Sequence, residues 1–238
     1  MKVIILAAGR GTRISKLIGD IPKCTVDVCG KPLIIRTLEL FKKNGVEAVA
    51  ISLGYKHDVV SEVIKGHNVR EYYNPFFHVT NSIASLWFAL KEFDGTEDVI
   101  ICNGDVFWTQ EVFDAIAKDE RDIVMLADRS KADSGDYFFK TDNGKLLAYG
   151  KELTRDNRDC EYVGIAKISK EIVPLFKERL LKLINSQECD KWWENILYSM
   201  VGERDIYIKD VEGAFWAEVD FIEDYNRILT YVGKNTNK

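Results

Sequence analysis

The stretch Leu6-Ala7-Ala8-Gly9-Arg10-Gly11-Thr12-Arg13 holds the residues best suited to chemistry. It continues an apolar run, Lys2 to Ala8, that reads as a buried parallel strand because the run is unbroken and does not alternate. Two glycines let backbone N–H groups approach an anion closely, and Arg13 adds a fixed positive charge, so the loop suits a phosphate. Two familiar phosphate loops fail to match. The dinucleotide fingerprint needs a third Gly or Ala where this chain has Ile14. A Walker loop needs Gly-Lys-Ser/Thr, but each Gly-Lys here continues with Pro32, Leu146, Glu152 or Asn235. Cys24, Cys29, Cys102, Cys160 and Cys189 lack metal-ligand spacing and read as reduced thiols. His57, His67 and His78 lie in separate segments and form no recognisable triad.

Around this loop the chain is ordinary in composition: 238 residues, 46% hydrophobic and 30% charged, with a net charge of −5. Such usage excludes general disorder, and a mildly acidic chain without a basic block is poorly suited to gripping nucleic acid. The opening apolar run is too short to cross a bilayer and lacks a signal-peptide pattern, so a cytoplasmic protein is expected.

The elements that must position the loop alternate strand with helix. After the first strand, helix is expected from Pro32 to Lys43, strand from Val46 to Leu53, helix from His57 to Lys65 and strand from Val69 to Tyr73. Ser82 to Phe93 follows as helix, with Asn81 as its cap, and Asp98 to Cys102 as another buried strand. Further on, Ile123–Ala127 reads as strand, Tyr137–Lys140 and Leu146–Tyr149 as a hairpin turning at Asn143-Gly144, and Glu161–Ile168 as strand. A helix then runs from Ser169 to about Ile184, distorted at Pro174, and another from Lys191 to Met200. Strands at Ile206–Lys209 and Ala214–Val219 and a helix at Phe221–Tyr231 close the chain. The expected fold is α/β: three αβα layers on a mostly parallel, Rossmann-like sheet, with a smaller hairpin and helical half. One domain, 1–233, would divide into a nucleotide half, about 1–120, and an acceptor half, about 121–233, with 234–238 as a flexible tail.

Pro22-Lys23 and Gly30-Lys31-Pro32-Leu33 follow the glycine loop at intervals that resemble the signature of the nucleotidyltransferase family. That family includes the sugar-phosphate nucleotidylyltransferases and the small cytidylyltransferases. The likeness is dense over residues 1–35 and scattered thereafter. It implies that Leu6, Ala8, Gly9, Arg10, Gly11, Thr12 and Asn103 bind the nucleotide, and that Arg13 and Lys23 reach the triphosphate as catalytic residues. An acceptor phosphate would attack the α-phosphorus in line and expel pyrophosphate. Both reactants are anions, so charge neutralisation and alignment matter more than acid–base chemistry, and Mg²⁺ is implied. The likeness pairs Asp105 and Asp220 as its ligands. Read alone, the two are a turn residue and a helix cap.

Residues 74–86, with Asn-Pro and Thr-Asn-Ser-x-x-Ser-Leu, resemble the phosphocholine and 2-aminoethylphosphonate cytidylyltransferases. This implies CTP, with Asn81 and Ser82 near the nucleotide. Lys151 stands where sugar-phosphate relatives hold the acceptor phosphate. Glu161 lies in a segment like the family's acceptor-pocket lining, where its charge could hold an ammonium group. Tyr137, Trp192, Trp193 and Trp216 could add an aromatic wall, though adjacent helical Trp192 and Trp193 point apart. Glu218, facing away from Val219, is expected near the acceptor. The expected reaction is CMP transfer to a small phosphorylated or phosphonylated amine, for decorating a surface polysaccharide or lipid. A sugar-1-phosphate nucleotidylyltransferase using UTP, dTTP or GTP is the rival, and a non-catalytic nucleotide-binding module a third. The oligomeric state stays open, a homodimer included.

Overall fold

Short apolar runs alternating with amphipathic stretches build the first half as strand–helix repeats. The computed structural model describes residues 1–14 and 18–236. In order these are β1 (Lys2–Ala7), α1 (Leu33–Lys43), β2 (Ala48–Leu53), α2 (His57–Val63), β3 (Val69–Tyr73), α3 (Ser82–Phe88) and β4 (Val99–Asn103). Then come β5 (Val106–Phe107), α4 (Gln110–Ala117), β6 (Ile123–Asp128), β7 (Phe138–Asp142), β8 (Lys145–Gly150) and β9 (Cys160–Ile168). The chain ends with α5 (Val173–Asn185), α6 (Asn195–Tyr198), β10 (Tyr207–Asp210), β11 (Ala217–Glu218) and α7 (Ile222–Thr236).

Nine strands form one sheet in the order β3-β2-β1-β4-β9-β6-β10-β8-β7. The first four pair in parallel, as the unbroken apolar runs require. The sheet as a whole is mixed, because β9 lies antiparallel between β4 and β6 and the β7–β8 hairpin extends the far edge. Side chains alternate across β1 into two cores. Ile4 and Leu6 join Ile83, Leu86 and Phe176 on one face, while Val3 and Ile5 join Ile34, Leu38 and Phe41 on the other.

Several elements depart from the expectation. The helix α4 stands between residues 103 and 122, where none was expected. The hydroxyl of Thr109 caps it, and Val112, Phe113 and Ile116 are buried. Pro174 sits in the first turn of α5, where its missing N–H does no harm, so no distortion follows. The expected Lys191–Met200 helix shrinks to α6. Lys191, at its expected start, and Cys189 just before it instead accept on their carbonyls the N–H groups of Ile83 and Asn81. Tertiary hydrogen bonds there outweigh helical propensity. The helix α7 runs on to Thr236, so residues 234–236 continue it, whereas 237–238 lie outside the described residues.

Two short elements matter most for the site. The expected Ala214–Val219 strand reduces to β11, which pairs antiparallel with β5 through Ala217–Phe107 and Glu218–Val106. Just beyond this pairing, the Val219 N–H donates to the Asp105 carbonyl at 2.9 Å. Residues more than a hundred positions apart are thereby held side by side.

Candidate active site

The carboxyl ends of β1 and β4 open into a cavity of about 590 Å³. Parallel sheets place ligand sites at such strand ends. The β1 exit supplies Leu6, Ala8, Gly9, Arg10, Gly11, Thr12 and Arg13, all of which line it. Gly11 has φ +64°, and a Cβ there would come within 2.5 Å of Lys23 Cε. Glycine at this position thus serves both the turn and the lysine packed beneath it.

Lys23 begins a single 3₁₀ turn, Lys23–Thr25. Its ammonium lies 3.1 Å from Asp105 Oδ2 and also donates to Asp220 Oδ1. Arg13 reaches Asp220 Oδ2 at 2.7 Å. Burial opposes the charge on Lys23, but Asp105 and Asp220 outweigh it and raise its pKa above the ordinary lysine value. Glu218 completes a group in which one oxygen each from Asp105, Glu218 and Asp220 lies within 4.8 Å of the others. Burial, then the charges of Asp105 and Asp220, push the Glu218 carboxyl well up. Three carboxyl groups this close form a donor set that fits a hard divalent cation.

Asn103 connects this cluster to the rest of the cavity. Its amide donates to Glu218 Oε1 at 3.5 Å, and its Oδ1 accepts from the indole of fully buried Trp193 at 3.2 Å. Asn81 accepts from the Ser82 N–H as the cap of α3, and the Ser82 hydroxyl accepts from the Trp193 N–H at 2.9 Å. Both line the cavity.

On the other side Lys151 pairs with Asp136 at 2.5 Å, and Arg13 stands 3.8 Å from the same carboxylate. Glu161 is tied to the chain beside it. Its Oε1 accepts from the Asp136 N–H at 2.8 Å, and Lys131 lies 3.5 Å from its Oε2. Tyr137 and Trp192 line the cavity with ring centroids 5.6 Å apart. Trp193 points away into the core. Trp216 also lies away from the cavity, buried, with its indole donating to Asp128 at 2.8 Å and Lys131 over its ring. It braces the wall behind Glu161 instead of forming the aromatic lining expected of it.

The cavity also has lining residues that sequence reasoning missed, Asp136, Glu194 and Tyr198, beside Tyr162 of the segment expected to line the acceptor pocket. Glu194 follows Trp192-Trp193 in what reads as an ordinary amphipathic helix, so nothing in its local sequence marks it. Burial raises its pKa to about 8.

A glycine phosphate loop, a buried lysine and a carboxylate cluster on a mixed α/β sheet define a nucleotidyltransferase. Residues 3–195 match the model of the MobA-like NTP transferase domain, and the chain belongs to that family. It is 25% identical to CTP:phosphoglutamine cytidylyltransferase of Campylobacter jejuni, over 94% of this chain and 97% of that one. It is also 25% identical to choline-phosphate cytidylyltransferase of Streptococcus pneumoniae, over the whole of both. A solved structure of CTP:phosphocholine cytidylyltransferase from Streptococcus pneumoniae superposes with TM-score 0.77, at 22% identity over 97% of this chain and 98% of that one.

Proposed function

We propose that the protein transfers CMP from CTP to a small phosphorylated or phosphonylated amine, releasing pyrophosphate. The observation that carries this reading is likeness along the full chain to two cytidylyltransferases, with the phosphate loop, Lys23 and the carboxylates in one cavity. The Gly9–Thr12 backbone would take the triphosphate, and Arg13 and Lys23 would balance its charge. Asn81 and Ser82 would stand near the cytosine. Asp105, Glu218 and Asp220 would hold Mg²⁺, which supplies charge neutralisation at the phosphates. Lys151 would exchange Asp136 for the acceptor phosphate. An acceptor oxygen then forms a bond to the α-phosphorus as the bond to pyrophosphate breaks, with the electron pair leaving on pyrophosphate. Arg13 and Lys23 offset the charge that accumulates there.

On this reading residues 1–120 form the nucleotide half and 121–233 the acceptor half. The enzyme works in the cytoplasm and feeds a head group to a surface polysaccharide or lipid. The test is Mg²⁺-dependent pyrophosphate release with CTP, UTP, dTTP, ATP or GTP and a panel of phosphorylated amines and sugar-1-phosphates. Turnover with CTP and an amine is expected. Turnover only with a sugar phosphate and another nucleotide would overturn the proposal.

A further inference from the structure

Three buried or half-buried glutamates line the cavity, and their surroundings differ. Glu161 is held by the Asp136 N–H and Lys131, and Glu218 lies beside Lys23 and the two aspartates. Glu194, only 7% exposed, has no lysine or arginine within ion-pair reach among the described residues. Burial and its own backbone N–H are what act on its carboxyl, and its charge in turn acts on Tyr137, Tyr162 and Tyr198. Tyr162 is 8% exposed, lines the same cavity, and its hydroxyl has no hydrogen-bond partner among the described residues. A buried carboxyl without a counter-charge and a buried unpaired hydroxyl are both costly, and both residues line the cavity.

Aromatic rings alone would suit a quaternary ammonium group, but here ring faces are turned toward one another. Tyr198 stacks on Tyr149 with centroids 3.8 Å apart and lies parallel to Tyr137 at 6.1 Å. The Lys151 ammonium already lies over Trp192, 5.7 Å from its centroid. Rings engaged in this way have less open face to offer a cation. What the pocket leaves unmatched is hydrogen-bonding capacity.

From this we infer that Glu194 and the Tyr162 hydroxyl select an acceptor head that carries N–H donors, a primary ammonium before a trimethylated one. The inference rests on the proposed cytidylyl transfer to a phosphorylated amine. An ammonium N–H can donate to both oxygens, whereas N-methyl groups would leave them buried and unpaired. Sites built to bond an N–H or O–H discriminate strongly against analogues that lack it.

The test compares kcat/KM at saturating CTP for phosphoethanolamine, its N-monomethyl and N,N-dimethyl derivatives, and phosphocholine, a series that loses N–H donors at constant charge. A stepwise fall is expected, reaching about 10²-fold at phosphocholine. Glu194→Gln preserves shape, and is expected to raise KM for phosphoethanolamine more than it lowers kcat and to flatten the series. Tyr162→Phe should flatten it partly. CTP turnover with phosphocholine as good as with phosphoethanolamine, or a series unchanged in Glu194→Gln, would overturn the inference while cytidylyl transfer stands. Turnover with sugar phosphates only would remove both.

Discussion

On the β1 side of the cavity Lys23 is surrounded by Asp105 and Asp220, and Arg13 reaches Asp220. On the side lined by Tyr162 and Tyr198 Glu194 is buried, with no described cation at its carboxyl. The first region keeps its charges by pairing them internally, so its ionic groups are in place before any ligand arrives. The second keeps a carboxyl by leaving it protonated. Burial of charge has two solutions, a counterion or a proton. The Lys23 cluster uses the first, and Glu194 uses the second.

Breaking the paired half should have the largest effect. Asp105→Asn, Asp220→Asn and Lys23→Ala are each expected to lower kcat for CTP-dependent pyrophosphate release by about 10³-fold while the fold persists. Lys23→Ala should slow chemistry more than it weakens CTP binding, read as kcat against the CTP Kd. A loss confined to CTP affinity would contradict a role in the transition state.

The link between the halves comes next. Asn103→Ala leaves the indole N–H of buried Trp193 without its acceptor, at an expected cost of about 1–3 kcal/mol in urea unfolding. Unchanged stability would mean that the two regions are not coupled through this residue.

The protonated half can be tested through pH. With its pKa raised from 4.5 to about 8, Glu194 stays protonated in the folded protein while the unfolded chain ionises. The folded state binds the extra proton across that window, so this group makes stability fall as pH rises, by up to about 1.4 kcal/mol per unit. Glu194→Gln removes that slope. Its stability relative to the parent should therefore increase from about pH 5 to about pH 8, measured by denaturant titration. Parallel curves would show that Glu194 is charged in the free protein.

The smallest effect belongs outside the cavity. Gly144, at φ +76°, closes the β7–β8 turn. Gly144→Ala should cost about 1 kcal/mol and leave kinetics unchanged. Altered kinetics would show that the hairpin positions the site.

Much of the β1 side of the cavity is legible in the amino-acid sequence. The apolar run of β1, the glycines and Arg13 of the loop after it, and Asp105 just past β4 lie at strand ends that border the cavity, while Lys23 reaches it from a 3₁₀ turn. Chemistry carried by one loop and one strand end is local, and local patterns survive in a single sequence. Glu161 lies in a recognisable segment, yet its carboxyl serves the chain beside it. The aromatic side chains are legible as types only. Nothing in the local pattern tells Trp192 from Trp193, and tertiary contacts send one to the cavity and the other to the core.

The sequence by itself determined the alternation of strand and helix, because periodicity encodes it, and its resemblance to the nucleotidyltransferase signature pointed to the glycine loop with Arg13 and Lys23. Only the tertiary structure decided that the sheet is mixed, that β5 and β11 pair to bring Asp105, Glu218 and Asp220 together, and that Glu194 enters the cavity. Those facts depend on contacts between residues far apart in the chain. Pairing register and burial, not the neighbouring residues, set which groups meet and which carboxyls keep their protons.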